Sequence, residues 1–87
     1  MDWEEFFQTS DIKILFYLHD KHEVRYSDLE KNLIKTRSVL SVSLRDLTKR
    51  KLIDRIVEPT TPIRTTYKLT DRGIKLVQLL INIQKIV

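Results

Sequence analysis

The spacing of hydrophobic positions predicts helices through most of the first half of the chain. A first helix is expected from about residue 10 to residue 20, with Thr9 or Ser10 as its N-terminal cap. Its apolar residues cover more than one face, so more than one side should be buried. A short second helix is expected over residues 28–33, because Ser27 and Glu30 have the spacing of a capping box.

A third helix is predicted from Arg37 to about residue 50, with Thr36 as its cap. Leu40, Leu44 and Leu47 follow the i, i+4, i+7 spacing of a buried stripe. The opposite side is polar or small and should face solvent. It carries Arg37, Ser38, Ser41, Val42, Arg45 and Lys49.

Strands are predicted around the two prolines. Residues 52–57 are rich in β-branched side chains, and residues 64–69 alternate strictly between two faces. With Pro59 and Pro62 between them, these segments predict a β-hairpin with a stiff tip. A very short strand is expected at residues 24–26. Thr70 should cap a last helix that runs nearly to the C-terminus and is apolar around most of its circumference.

The predicted order is α-β-α-α-β-β-α over one domain, residues 1–87. This is a mainly α chain with a small β-hairpin (α+β). Two short helices joined by a tight turn and followed by a hairpin make a winged helix-turn-helix. The lone glycine, Gly73, falls inside the last helix, where it indicates the close approach of a neighbouring element.

Charge is distributed unevenly along the chain. Residues 1–30 contain three basic and eight acidic residues, whereas residues 31–87 contain 13 basic and four acidic ones. The net charge of +4 is therefore the sum of an acidic N-terminal segment and a strongly basic remainder. The basic segment begins near the second half of the helix-turn-helix. A positive region at that place is typical of a protein that binds nucleic acid, although a basic balance also serves solubility.

Several function classes are disfavoured. The sequence has no cysteine, which excludes disulfides, cysteine zinc sites and a thiol switch within these residues. No apolar run reaches the about 18 residues of a membrane span, and the acidic first residues do not resemble a signal peptide. There is no glycine-rich phosphate loop and no nucleophile–base–acid set. We therefore expect a cytoplasmic protein that is not an enzyme, without a cofactor.

Residues 40–80 resemble the HxlR-type branch of the MarR-like winged-helix transcriptional regulators. The resemblance lies in the leucine spacing of the third helix, a wing with two spaced prolines, and the run that leads into the last helix. Its residues here are Leu52, Ile53, Arg55, Pro59, Pro62, Arg64, Tyr67, Leu69, Thr70 and Gly73. Lys51 stands where relatives usually have glycine, and the cysteine by which some relatives sense oxidants is absent.

The helix over residues 36–50 is predicted to enter the major groove of double-stranded DNA. A recognition helix presents its N-terminal residues to base edges. Arginine can bind guanine, hydroxyls suit phosphates or bases, and a valine can contact a thymine methyl. The residues predicted to read DNA are Thr36, Arg37, Ser38, Ser41, Val42 and Arg45. The alternative is an ordinary solvated helix face.

The wing over residues 58–64 is predicted to contact the DNA backbone or the minor groove. Its prolines hold the tip in one shape, and its hydroxyls and cation suit phosphates. The predicted phosphate or wing contacts are Lys35, Lys49, Thr60, Thr61 and Arg64. The alternative is a stiff turn in which Arg64 pairs with Glu58.

Both ends of the chain carry more apolar surface than one small core needs, which predicts a symmetric homodimer. The predicted interface residues are Trp3, Phe6, Phe7, Leu76, Leu79, Leu80, Ile83, Ile86 and Val87. The alternative is that the aromatic residues only cover the core of the monomer.

The leading interpretation is a homodimeric, sequence-specific DNA-binding transcription regulator with no evident small-molecule effector. One alternative is a winged helix that binds proteins through its basic face. Another is a metal-responsive switch built from His19 and His22 with Asp20 or Glu23, which is a weak set without a further ligand.

Overall fold

The computed structural model describes residues 1–87 as five helices and three strands. The elements are α1 (Trp3–Phe7), α2 (Ser10–Lys21), β1 (Glu23–Arg25), α3 (Tyr26–Asn32), α4 (Arg37–Lys49), β2 (Ile53–Glu58), β3 (Arg64–Leu69) and α5 (Asp71–Ile86). The predicted winged helix-turn-helix order is confirmed, with one short helix, α1, added before it. None of these helices combines the length and apolar character needed to cross a membrane.

The three strands form one antiparallel sheet in the order β1-β3-β2. Strands β2 and β3 pair from Ile53–Leu69 at the base of the wing to Glu58–Arg64 near its tip. Strand β1 pairs with the other edge of β3, with Val24 opposite Tyr67. Because α3 follows β1 directly, this pairing holds the helix-turn-helix beside the wing.

One hydrophobic core lies between α2, α4, α5 and the sheet. Leu40, Leu44 and Leu47 are all buried, as the predicted stripe requires. The same side of α4 buries Ser43, whose hydroxyl lies 2.6 Å from that of Ser10 on α2 and is thereby satisfied. Burial of this side leaves the opposite side of α4 facing solvent.

The predicted capping box at the start of the second helix is wrong. Helix α3 begins at Tyr26, so Ser27 lies within its first turn instead of before it. The chain passes from β1 directly into α3, and Arg25, in extended backbone, takes the cap position without a side-chain hydrogen bond. Glu30 is therefore not needed as a cap partner, and its carboxylate binds Arg37 instead.

Two other caps have the predicted position but not the predicted bond. Thr9 precedes α2 and Thr36 precedes α4, yet neither side chain accepts a hydrogen bond from its helix. The Thr9 hydroxyl instead donates to the carbonyl of Phe6 in α1. The unpredicted α1 is capped by Asp2, which accepts from the backbone N–H groups of Glu4 and Glu5.

The start of α5 is held against the turn between α4 and β2. The Thr70 hydroxyl accepts from the Gly73 N–H at 3.1 Å and donates to the Lys51 carbonyl at 2.6 Å. Lys51 has a φ of 60°, in the left-handed region that favours glycine, which fits the glycine usual at this place in the resembling family. The predicted cap at Thr70 and close approach at Gly73 are both confirmed.

We expect Thr70→Ala to lower the free energy of unfolding by about 1–2 kcal/mol, because it removes a cap bond and leaves the Lys51 carbonyl without its partner. Urea unfolding followed by circular dichroism measures the change. Thr36→Ala is the matched control, since Thr36 holds a cap position without a side-chain bond. Equal losses for the two variants would show that the Thr70 hydrogen bonds contribute nothing.

Candidate nucleic-acid interface

The helix-turn-helix consists of α3, a turn over residues 33–36, and α4. The Leu29 carbonyl accepts from the N–H groups of both Leu33 and Ile34, at 3.0 and 2.9 Å, which ends α3 and starts the turn. Leu29, Ile34 and Leu40 are buried on its inner side. The angle between the two helices is therefore set by packing, and α4 has a defined position.

A side-chain hydrogen bond also joins α3 to α2. The Tyr17 hydroxyl donates to both carboxylate oxygens of Asp28 at 3.2 Å. Partial burial, together with the Asp28 charge and hydrogen bond, raises the pKa of the Tyr17 phenol above its ordinary value. This contact fixes the first half of the motif to the core.

All six residues predicted to read DNA are exposed. They lie at the start of α4 and along the side that faces away from Leu40, Leu44 and Leu47. Val42 keeps 49% of its surface exposed although it is apolar. The structure therefore places these side chains on one accessible surface, and their contact with DNA stays a prediction.

A cleft of about 450 Å³ separates α4 from the sheet. Three cationic side chains line it, Arg45 and Lys49 from α4 and Arg55 from β2. No acidic side chain lines the cleft, and none of the three cations forms an ion pair. Unpaired like charges around one hollow repel each other, so the arrangement favours an anionic ligand.

Most of the other residues that line this cleft carry hydroxyl groups. Tyr26, Ser41, Thr48 and Thr65 line it beside the cations. The Tyr26 hydroxyl lies 3.4 Å from that of Ser41, which joins the start of α3 to the middle of α4. Hydroxyls and guanidinium groups together are the usual partners of nucleic-acid phosphates.

A second hollow, of about 420 Å³, continues this surface towards the wing. It shares Tyr26 and Thr65 with the first cleft and adds Arg25 and Arg64 as cations. Arg25, Tyr26 and Arg55 were not among the residues predicted to bind DNA. Tyr26 and Arg55 do belong to segments that resemble the family, and that resemblance is the signal that could have pointed to them.

The wing tip presents most of the predicted contacts. Thr60, Thr61 and Arg64 are exposed, as is Lys35 in the turn before α4. The Thr60 hydroxyl donates to the Pro62 carbonyl at 2.9 Å, so it helps to shape the tip. Arg64 lies opposite Glu58 in the strand register, but the two side chains form no salt bridge.

Arg37, the first residue of α4, contacts α3. Its Nε donates to Glu30 Oε2 at 2.6 Å, and its side chain remains 79% exposed. The hydrogen bond to Glu30 and the charge of that carboxylate raise the pKa of the guanidinium above its ordinary value. Arg37 is thus the only predicted DNA-reading arginine whose orientation is set by another side chain.

The predicted dimer surface is partly exposed. Trp3, Phe6 and Phe7 pack against one another with ring centroids 5.2–6.5 Å apart. Phe7 also packs against Phe16 of α2, with the ring centroids 6.0 Å apart. The aromatic residues therefore do cover part of the core, while Trp3 remains 39% exposed.

Helix α5 divides its apolar residues between the core and solvent. Leu79 is 61% exposed and Ile86 85% exposed, and Val87 beyond the helix is also exposed. Leu76 and Ile83 are half-buried. Leu80 is only 5% exposed and belongs to the core, so its assignment to a dimer interface is wrong.

The structure gives no support to the metal-switch alternative. No group of three or more His, Cys, Asp or Glu side chains lies close enough together to hold a metal ion. His19, His22 and Glu23 do line one hollow, together with Leu18, Lys68, Leu69 and Ile74, but they do not form such a group.

The sequence profile of the HxlR-like helix-turn-helix family matches residues 10–87. The chain belongs to this family. The match bears out the resemblance noted from the wing motif, and the family is one of helix-turn-helix proteins and not of enzymes. A comparison with curated proteins found no match to this sequence.

Solved structures of transcriptional regulators share the fold of this HxlR-like chain. The reduced form of YodB from B. subtilis is 23% identical, with a TM-score of 0.78, and the match covers 87% of this chain and 74% of that one. A transcriptional regulator homologue from Pyrococcus horikoshii OT3 is 21% identical, with a TM-score of 0.79, covering 86% and 75%. A putative MarR-family regulator from Porphyromonas gingivalis W83 is 23% identical, with a TM-score of 0.70, covering 94% and 84%.

Proposed function

We propose that this chain is a homodimeric transcription regulator that binds double-stranded DNA in a sequence-specific manner. The observation that carries the proposal is the cleft beside α4, where Arg45, Lys49 and Arg55 converge without an acidic partner. The family assignment and the exposed N-terminal half of α4 support it. Because its proposed ligand is double-stranded DNA, we also propose a cytoplasmic location.

In the proposed complex α4 enters the major groove. Arg37, Ser41 and Val42 then face base edges, where arginine can read guanine and valine can contact a thymine methyl. The cations of the cleft bind the phosphates that flank the groove, which fixes the register of the helix on the duplex. Arg45 is thereby proposed to contact phosphate, and not the base edges predicted for it from the sequence. Arg64 and the threonines of the wing reach the neighbouring backbone or minor groove.

The apolar surface at the two ends of the chain supports the proposed dimer. Trp3, Leu79, Ile86 and Val87 together expose apolar area that no element of the monomer covers. A two-fold dimer formed through this surface would carry two symmetry-related copies of α4. Two-fold dimers of helix-turn-helix proteins read half-sites about 34 Å apart, one turn of B-DNA.

We expect Leu79→Glu to weaken dimerisation about tenfold or more, because an exposed apolar residue of the proposed interface is replaced by a charge. Sedimentation equilibrium measures the dimer dissociation constant. Gln78→Glu is the matched control, since it adds the same charge at the exposed residue immediately before Leu79 in α5. A wild-type protein that stays monomeric at every concentration would contradict the proposed dimer.

The proposed regulator has no thiol switch within these residues. YodB is described in reduced and diamide-treated forms, and HypR is described as a redox regulator. Thiol oxidation needs cysteine, and this sequence contains none. We therefore propose that these residues occupy DNA without cysteine-based sensing.

Selection from a pool of random duplexes tests sequence specificity. We expect the protein to enrich one motif, with two related halves about one helical turn apart. A pool that stays random while protein-bound DNA is recovered would indicate binding through the backbone alone. Recovery of no DNA would contradict the proposal and favour a winged helix that binds proteins through its basic face.

A further inference from the structure

We propose that Glu30 is a positioning residue that orients Arg37 for base reading and so contributes to sequence selectivity. The inference rests on the proposed DNA-binding function. The capping role predicted for Glu30 would have directed its carboxylate towards the N-terminus of its own helix, and so it did not predict a contact with Arg37. The contact instead crosses the turn of the helix-turn-helix, from α3 to the first residue of α4.

The two partners differ in accessibility. The Glu30 side chain is 27% exposed and the Arg37 side chain 79% exposed. The carboxylate therefore lies at the base of the contact, and the guanidinium projects outwards from it. A side chain with this exposure at the N-terminus of a recognition helix is placed to meet base edges.

The geometry of the contact leaves the reading edge of the guanidinium free. Arginine has five N–H donors, and the hydrogen bond at 2.6 Å uses the one on Nε. The four N–H groups on the two terminal nitrogens stay available. Those two nitrogens form the fork that binds the O6 and N7 atoms of guanine. An arginine held through Nε is thus oriented before DNA arrives and loses less conformational freedom on binding.

A carboxylate on this surface has an electrostatic cost. Glu30 lies near a positive region whose proposed ligand is a polyanion, so its charge repels the phosphates. Exposed ion pairs contribute little to folding stability, and neutralising Glu30 should therefore leave the fold intact. Glu30 would therefore lower the affinity for all DNA while it orients an arginine that reads bases. Its net effect would be better discrimination between sequences at the cost of weaker binding.

The test compares affinities for two duplexes, one enriched from a random pool by the wild-type protein and one scrambled. Fluorescence anisotropy at a single salt concentration gives both dissociation constants, and their ratio is the selectivity. For Glu30→Ala we expect selectivity to fall about fivefold to tenfold, within the discrimination that one bidentate arginine supplies. Affinity for the scrambled duplex should stay level or rise, because a negative charge has been removed.

Two further variants separate orientation from charge. Asp46→Ala removes the same charge from an exposed residue of α4 that forms no ion pair. It should raise both affinities alike and leave the selectivity unchanged. Glu30→Gln keeps an oxygen that can accept the Nε hydrogen bond, so it should restore most of the selectivity lost in Glu30→Ala.

A double variant assigns the effect to Arg37. In the Arg37→Ala background, Glu30→Ala should change the selectivity no further, since the two residues act as one unit. Unchanged selectivity in Glu30→Ala would overturn the inference, as would a parallel loss on both duplexes with a lowered melting temperature. A wild-type protein without any preference would overturn the proposed specific binding itself, and the inference with it.

Discussion

Alanine at Arg45, Lys49 and Arg55 together should weaken DNA binding about 100-fold, at about 1 kcal/mol for each lost charged contact. These three cations line the cleft beside α4 and have no ion-pair partner in the free protein. Their removal therefore leaves no buried charge unpaired, and the melting temperature should be unchanged. The slope of log affinity against log salt should become shallower by about 2.7, or 0.9 for each phosphate contact.

A second triple variant controls for net charge. Arg72, Lys75 and Lys85 are exposed residues of α5, away from the cleft. Their replacement by alanine removes the same total charge and should reduce affinity far less. Equal losses for the two triple variants would show that DNA responds only to the overall charge of the protein, and that the cleft has no special role.

Gly73→Ala is expected to be the most disruptive single substitution for folding. A Cβ atom built on Gly73 would lie 2.0 Å from the carbonyl oxygen of Leu52 and 3.1 Å from Leu69 Cδ2. The Leu52 carbonyl cannot simply turn away, because it accepts a hydrogen bond from the Thr70 N–H at 3.1 Å. Helix α5 would have to move away from the start of β2.

We expect Gly73→Ala to lower the free energy of unfolding by about 3 kcal/mol or more, a large part of the about 5–15 kcal/mol typical of a domain. In an exposed helix the same substitution stabilises by about 1 kcal/mol, so the sign distinguishes the two situations. Urea unfolding measures it, with Gln78→Ala as a control at an exposed position of α5. A midpoint equal to or above that of the wild type would refute the close approach.

The parts of the fold that depend on one-sided burial could be predicted from sequence. Leu40, Leu44 and Leu47 recur at helical spacing and are buried on one side of α4, which also identifies its exposed side. Strand β3 was predicted over its observed residues, because the alternation from Arg64 to Leu69 matches the two faces of a sheet. Gly73 could be interpreted because a helix tolerates glycine poorly without a packing reason.

Contacts between elements distant in sequence could not be predicted. The sheet order β1-β3-β2 brings Arg25 and Tyr26 beside the wing, although the wing begins more than thirty residues later in the chain. Arg55 joins the cleft only because β2 pairs with β3 in one register. Spacing rules describe one element at a time and carry no information on which elements become neighbours.

Local signals also failed where tertiary contacts offered a side chain a different partner. Glu30 has the spacing of a cap partner for Ser27. However, α3 begins earlier than predicted, and the Glu30 carboxylate accepts a hydrogen bond from Arg37 instead. Leu80 belongs to an apolar helix face that sequence alone cannot divide between core and solvent. The burial of Leu80 and the exposure of Leu79 make that division.

Specific DNA binding through several phosphate contacts is the central property proposed for this protein. Fluorescence anisotropy of the wild-type protein, from about 50 to about 200 mM salt, measures this on an enriched duplex and on a scrambled one. We predict tight binding at low salt, a steep loss of affinity as salt rises, and a preference for the enriched duplex at every salt concentration. Absence of binding to both duplexes at the lowest salt would contradict the account.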